Sequence, residues 1–216
     1  MAGLYSPGEY DLAGFCVGAV KRSLLLPRMQ DMKPGDVVIG LRSTGLHSNG
    51  FSLVRKCVQK SGLAWTDAAP FSPDVSLGEA LLCPTKIYVR VLTSLIEKGL
   101  VKGMAHITGG GLLENTPRAL PEHLAACIDI EKSKWQLPPV FRWVMDISGI
   151  SQSELLRTFN CGVGMVLIIS PDDESAVRTA LQEKEENDIL ILGSLCVRPH
   201  VECPQVLVRG DFSKVL

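Results

Sequence analysis

The sequence predicts a mixed α/β chain, an α+β sandwich in which a mixed sheet is flanked by helices. Three observations predict it. Short β-branched and apolar runs recur between Val37 and Val208, each bounded by turn residues. Stripes of apolar residues at helical spacing lie between them, at 51–58, 85–96 and 140–147. Several of the strands can pair antiparallel, so the alternation does not dictate an all-parallel sheet.

In chain order, Tyr10 to Val20 reads as a strand, and Pro34-Gly35-Asp36 as a turn into a buried strand at 37–41. A Ser/Gly/His/Asn loop follows, with Ser48 or Asn49 placed to cap an amphipathic helix through Val54 and Val58. Residues 62–76, with Pro70 and Pro73, read as loop. A helical stripe runs from Thr85 to Ile96 and Gly99 ends it. Val101 to Ile107 reads as a strand leading into three glycines, and Pro117 and Pro121 limit the next helix. Then come a strand at 125–130, a helix at 140–147 and a capping-box pattern at Ser151–Glu154. A buried strand at 164–169, a helix from Asp172 or Asp173 to about Lys184, and strands at 189–197 and 203–208 complete the pattern. Residues 210–216 read as a frayed end or a linker start.

Composition narrows the function classes. The 216 residues suffice to bury a core without staples. Lys plus Arg number 22 and Asp plus Glu 23, so nothing in the charge balance points to nucleic acid or an anionic membrane. The seven cysteines are irregularly spaced, without a Cys-x-x-Cys, and read as small buried hydrophobes of a reducing, cytoplasmic compartment with no disulfide and no metal site. No stretch is long and apolar enough to span a bilayer.

Three segments carry candidate chemistry. In Ser43-Thr44-Gly45-Leu46-His47-Ser48-Asn49-Gly50, small residues and a helix start expose N–H groups to an anion, and His47 can donate a hydrogen bond or a proton. It is not a P-loop, because the closing Lys-Ser/Thr is absent. In Thr108-Gly109-Gly110-Gly111, three glycines allow close backbone approach, with the Thr108 hydroxyl and Asn115 amide nearby. His106, just before them, reads as a satisfied core residue. In Asn160-Cys161-Gly162-Val163-Gly164 the Gly-x-Gly precedes a strand, which excludes a dinucleotide fingerprint. Cys161 reads as packed, not as a nucleophile. Glu114 is the sole carboxylate within these loops, too few for a magnesium site.

Together the segments resemble the phosphoribosylformylglycinamidine cyclo-ligase (aminoimidazole ribonucleotide synthetase) family. The resemblance rests on Ser43 to Gly50 with Phe51-Ser52-Leu53, His106 to Gly111 with Glu114-Asn115, Arg157 to Met165, Pro84 to Tyr88, and Tyr10 to Phe15, in order over about residues 1–209. The wording is closest to the family's form that lies centrally in a eukaryotic trifunctional purine-synthesis protein.

The resemblance implies the C-terminal synthetase domain at 23–209, a remnant strand of an N-terminal ATP-binding half at 1–22, and a tail at 210–216. It implies ATP-dependent ring closure of formylglycinamidine ribonucleotide, with ATP and magnesium held mainly by the N-terminal half, which also supplies the main contact of a homodimer. Alone, the chain would then be inactive, or serve only as a binding or association module. His47 is the expected catalytic or substrate-polarising residue. Ser43, Gly45, Ser48, Asn49, Gly50, Thr108, Gly109, Gly110, Gly111, Asn115 and Asn160 are the expected substrate or phosphate ligands.

Overall fold

A computed structural model describes residues 8, 10 and 12–215. Six strands form one sheet in the order β4-β6-β1-β7-β5-β8. These are β1 (Val37–Arg42), β4 (Gly103–His106), β5 (Leu124–Asp129), β6 (Val163–Ile169), β7 (Ile189–Val197) and β8 (Val206–Arg209). Every pairing is antiparallel except β5 with β8, which makes the sheet mixed as the sequence predicts. A small hairpin of β2 (Ala68–Ala69) and β3 (Ser72–Ser76) stands apart.

The central strands are buried on both faces, so their sequences are continuous apolar runs. Alternate side chains serve opposite cores. Val38, Val166, Ile168 and Leu192 enter one. Helices α1 (Phe51–Ser61), α4 (Gly111–Asn115), α5 (Pro139–Ser148) and α6 (Gln152–Thr158) add Val54, Leu112, Phe141 and Leu155 to it. Ile39, Leu41, Leu167 and Ile169 enter the second, beneath Leu92 and Leu95 of α3 (Val89–Glu97) and Val177 and Leu181 of α7 (Glu174–Gln182). The sheet is therefore sandwiched, but its second face is covered over the β4–β6–β1 half by these two helices.

Several sequence expectations need correction. Residues 10 and 12–20 form no strand: Tyr10, Phe15 and Val17 are exposed, and no strand among the described residues pairs with them. Residues 62–76 are not plain loop. They hold the hairpin, and its end at Ser76 opens α2 (Leu77–Leu81) through a full capping box with Glu79. Helix α3 starts at Val89 instead of Thr85. At Ser151 only half of the expected capping box forms, its side chain accepting from the Glu154 N–H.

Cys127 and Cys196 are joined in a disulfide, against the expectation of seven unpaired thiols. Their separation of 69 residues hides what the register reveals: Cys127 faces Ser194 and Cys196 faces Ala125, which makes the two diagonal neighbours on one sheet face. Cys57 and Cys161 are the buried thiols, while Cys16 is exposed.

Residues 210–215 are not frayed either. Phe212 is 2% exposed, Val215 is buried, and the Phe212 ring stands edge-on to Trp135 at 5.1 Å. Phe212→Ala should therefore cost about 3–5 kcal/mol, the usual toll of emptying a buried aromatic site. Urea unfolding of the chain with and without the substitution measures it, and a difference below about 0.5 kcal/mol would return the segment to a loose tail.

Candidate functional site

The site is assembled where β1 and β4 end and β6 begins. β1 delivers residues 43–50, β4 delivers 107–111, and the turn 159–162 precedes β6 between them. Asn160 holds the first loop. It is fully buried, its Oδ1 accepting from Ser43 Oγ and from the Gly162 N–H at 2.8 Å each. Its Nδ2 donates to the Gly45 and Leu46 carbonyls at 2.9 and 3.2 Å. All four hydrogen-bonding positions of the amide are spent.

Asn115 does the same for the glycine loop. Its Oδ1 accepts from the Thr108 N–H at 2.8 Å and the Thr108 hydroxyl at 3.0 Å, and its Nδ2 donates to the Gly109 carbonyl at 2.9 Å. Two residues expected to touch a ligand thus brace the loops that would.

The three glycines differ in purpose. Gly111 sits where a Cβ would collide with the Leu156 carbonyl of α6, and Gly110 has φ +94° with Glu114 and Asn115 crowding it. These two serve packing and turn geometry. Gly109 is the open one: a Cβ there would meet nothing nearer than Asn49 Oδ1 at 3.9 Å. That approach brings the two distant segments together. The N–H groups of Gly109 and Gly110, and the Asn49 side chain, hold no hydrogen bond among the described residues.

Neither Ser48 nor Asn49 caps α1. Gly50 does, at φ +73° and without a side-chain bond, because the Phe159 ring occupies the space of a Cβ. Ser48 instead lies 3.3 Å from Thr85 Oγ1. His47, at φ +57°, is buried. Its Nε2 accepts from the Thr44 and Lys86 N–H groups at 3.2 and 3.4 Å, and its Nδ1 has no partner. Burial first, then the neighbouring His106 and Lys86, lower its pKa to about 4. With Ser48, Phe51, Leu82, Cys83, Pro84 and Thr85 it walls a cavity of about 280 Å³. A larger one of about 520 Å³ adjoins it at Cys83 and Pro84 and reaches Ser43, Thr44 and Gly45.

Sequence reasoning assigned no role to the residues beside His47. Tyr88 donates its hydroxyl to the Arg42 carbonyl at 2.8 Å, and its ring stands 6.3 Å from that of His47. Burial and the Glu186 carboxylate raise its phenol pKa. Lys86 pairs with the buried Glu186 at 2.6 Å and lies 5.4 Å over the Tyr88 ring. His106 is exposed, not a core residue, with its ring 6.0 Å from Tyr88 and 6.5 Å from His47. The sequence signal for them is the run Pro84 to Tyr88, which carries part of the family resemblance. The Gly-x-Gly at 162–164 is explained by packing: Tyr88 and His47 press on Gly164, and Pro138 presses on Gly162 at φ +90°. Burial raises the Cys161 thiol pKa, which suits its reading as a packed residue.

Glu114, the carboxylate of the glycine loop, pairs with Arg157 at 3.3 Å. Among the described residues no group of three His, Cys, Asp or Glu side chains is placed to hold a metal ion. None of the described helices is long and apolar enough to cross a membrane.

With this geometry in view, comparison with known proteins defines the class. Residues 33–203 match the family model "AIR synthase related protein, C-terminal domain", and the chain belongs to that family. Thiamine-monophosphate kinase from Stenotrophomonas maltophilia K279a is similar at 18% identity with a TM-score of 0.53, over 89% of this chain and 55% of that one. The hydrogenase maturation protein HypE is similar at 18% identity and TM-score 0.50, over 82% and 50%. T. maritima PurL complexed with AMPPCP is similar at 16% identity and TM-score 0.46, over 83% and 24%. The chain thus spans about half the length of the first two and a quarter of the third. The first two likenesses agree with the mixed sheet flanked by helices.

The depressed pKa of His47 has a testable consequence. In the unfolded chain a histidine takes its proton near pH 6.5, whereas folded His47 stays neutral down to about 4. The unfolded state therefore binds more protons across that window, and stability falls as pH drops through it, by up to about 1.4 kcal/mol per pH unit. Urea midpoints at pH 7, 5.5 and 4.5 should show this decline, and His47→Asn, which tolerates the positive φ, should flatten it. An equal decline in both proteins would remove His47 as its source.

Proposed function

We propose that the chain forms the C-terminal wall of an ATP-dependent ring-closing site that converts formylglycinamidine ribonucleotide to aminoimidazole ribonucleotide. The observation that carries this reading is the meeting of Asn49 with Gly109. It unites the two segments whose wording resembles the cyclo-ligases, with unspent N–H groups beside them. Membership in the family of AIR synthase related C-terminal domains supports it.

In the proposed reaction the formamide oxygen takes the γ-phosphoryl group of ATP and ADP leaves. The amidine nitrogen then attacks the activated carbon, a C–N bond forms, the C–O bond breaks, phosphate departs and a proton leaves the nitrogen. The attack is intramolecular, so holding the chain of the substrate in one conformation supplies much of the acceleration. Gly109, Gly110, Ser48, Asn49 and Gly50 suit phosphoryl or ribose oxygens, because backbone and amide donors recognise anions without a charge of their own. Ser43, Gly45 and Thr108 shape the loops, while Asn115, Gly111 and Asn160 brace them. His47 orients the first loop against residues 84–86.

Magnesium does not fit this wall. Glu114 is engaged with Arg157, and no acidic cluster accompanies it. The metal, most contacts to ATP, and the dimer contact belong in this reading to an N-terminal half outside these residues, and the segment that holds the exposed Tyr10, Leu12, Phe15 and Val17 belongs to the join. The second reading, a binding or association module without turnover, is favoured by the half-length coverage of the similar structures.

The test is to measure ATP hydrolysis and imidazole formation with the chain alone, then with a cyclo-ligase N-terminal half added in trans. We expect no turnover alone and turnover on mixing, with His47→Ala lowering it about 100-fold through misplaced loops. Turnover by the chain alone would overturn the half-site assignment, and none in either case would leave the association module.

A further inference from the structure

Two histidines stand at the site, and their surroundings differ in kind. An imidazole nitrogen that accepts hydrogen bonds carries no proton. Nε2 of His47 accepts two, from Thr44 and Lys86, so the neutral ring carries its hydrogen on Nδ1. The basic lone pair of His47 is thereby committed to holding the backbone. Protonation at Nε2 would break both contacts and loosen the loop's hold on residues 84–86, leaving the Thr44 hydroxyl on the Pro84 carbonyl at 2.7 Å. A general base needs a lone pair free to face the proton it takes, and His47 has none.

His106 has what His47 lacks. It closes β4 three residues before Gly109, on the strand that delivers the glycine loop. Its ring is exposed, and neither nitrogen is hydrogen-bonded among the described residues. Partial burial lowers its pKa, which keeps the ring neutral and its lone pair available at pH 7. The groups that face it are His47 from the first loop and Tyr88 from the start of α3, with the Lys86–Glu186 pair beyond. Among the described residues no carboxylate is within ion-pair distance of it. The backbone of its strand is fixed by the ladder with β6, where His106 lies opposite Met165.

We propose that His106 is the proton-transfer residue of this site and that His47 is a positioning residue, a neutral clasp between the first loop and residues 84–86. The proposal rests on the ring-closing reading above. In that reaction the amidine nitrogen forms its bond to carbon as the C–O bond to phosphate breaks, and the proton released from nitrogen passes to a ring nitrogen of His106.

Two experiments test it. The first uses the 216-residue chain labelled with ¹⁵N-histidine, followed by two-bond ¹H–¹⁵N correlation from pH 8 to pH 4.5. We expect His47 to remain neutral with its proton on Nδ1 down to about pH 5, and His106 to titrate reversibly below pH 6.5. A proton on Nε2 of His47, or titration of His47 near 6.5, would overturn the division of roles.

The second uses the mixed two-half enzyme. His106→Gln should lower kcat by about 100-fold or more with KM little changed, and should remove the acid limb of the pH–rate profile. His47→Asn should leave that limb in place. Wild-type kcat and pH profile in His106→Gln would overturn the proposal even if His47 behaves as expected. If mixing restores no turnover, the ring-closing reading fails and the proton-transfer role falls with it, while the labelled spectra still decide which histidine is the clasp.

Discussion

The candidate site depends on how one buried amide satisfies groups that no strand ladder reaches. β1 and β6 pair from Val37–Ile169 up to Leu41–Met165, and there the register shifts. Beyond it the chain turns away from the sheet on both sides. The Leu46 carbonyl and the Gly162 N–H face the interior, and the Gly45 carbonyl and the Ser43 hydroxyl lie half-buried beside them. Each such group left unsatisfied costs about 1–3 kcal/mol. Asn160 answers all of them at once. Neighbouring residues share the work: Phe159 fills the space over Gly50, and Cys161 takes a positive φ so that the turn can close. The shape of the first loop is thus dictated from more than a hundred residues away.

The same economy explains the triple glycine. A run of three glycines suggests one function, close approach to an anion. The structure divides it among three constraints: an open face at Gly109, a left-handed cap at Gly110, and contact with the α6 carbonyl at Gly111. Asn115 then ties Thr108 and Gly109 from below. A loop braced this way presents its N–H groups in one arrangement before any ligand arrives, which lowers the ordering cost of binding.

Legibility follows from range. The central strands and helices α1, α3, α5 and α7 were readable because their signal is local: buried runs, and apolar stripes at a period of 3.6. The Ser76 cap is equally local, but Pro70 and Pro73 ahead of it read as loop and mask it. What was not readable is set by contacts across the chain. The disulfide needs the β5–β7 register, the burial of Phe212 needs Trp135, and the saturation of Asn160 needs the carbonyls of the first loop. For the same reason the sequence puts His47 first as the catalytic residue and reads His106 as a core residue, an order that our proposal reverses. The reversed ranking comes from two backbone N–H groups that converge on one ring nitrogen.

Placement on the scaffold gives that ranking a mechanical sense. A group that moves a proton must be held to within about half an ångström of its partner, and strands hold side chains more closely than loops do. His106 is anchored by a ladder and leaves its ring free. His47 lies in a loop at positive φ and surrenders its ring to keep that loop in place. Exchanging the two roles would put the reactive nitrogen on the more mobile support and would strip the loop of the contacts that define it.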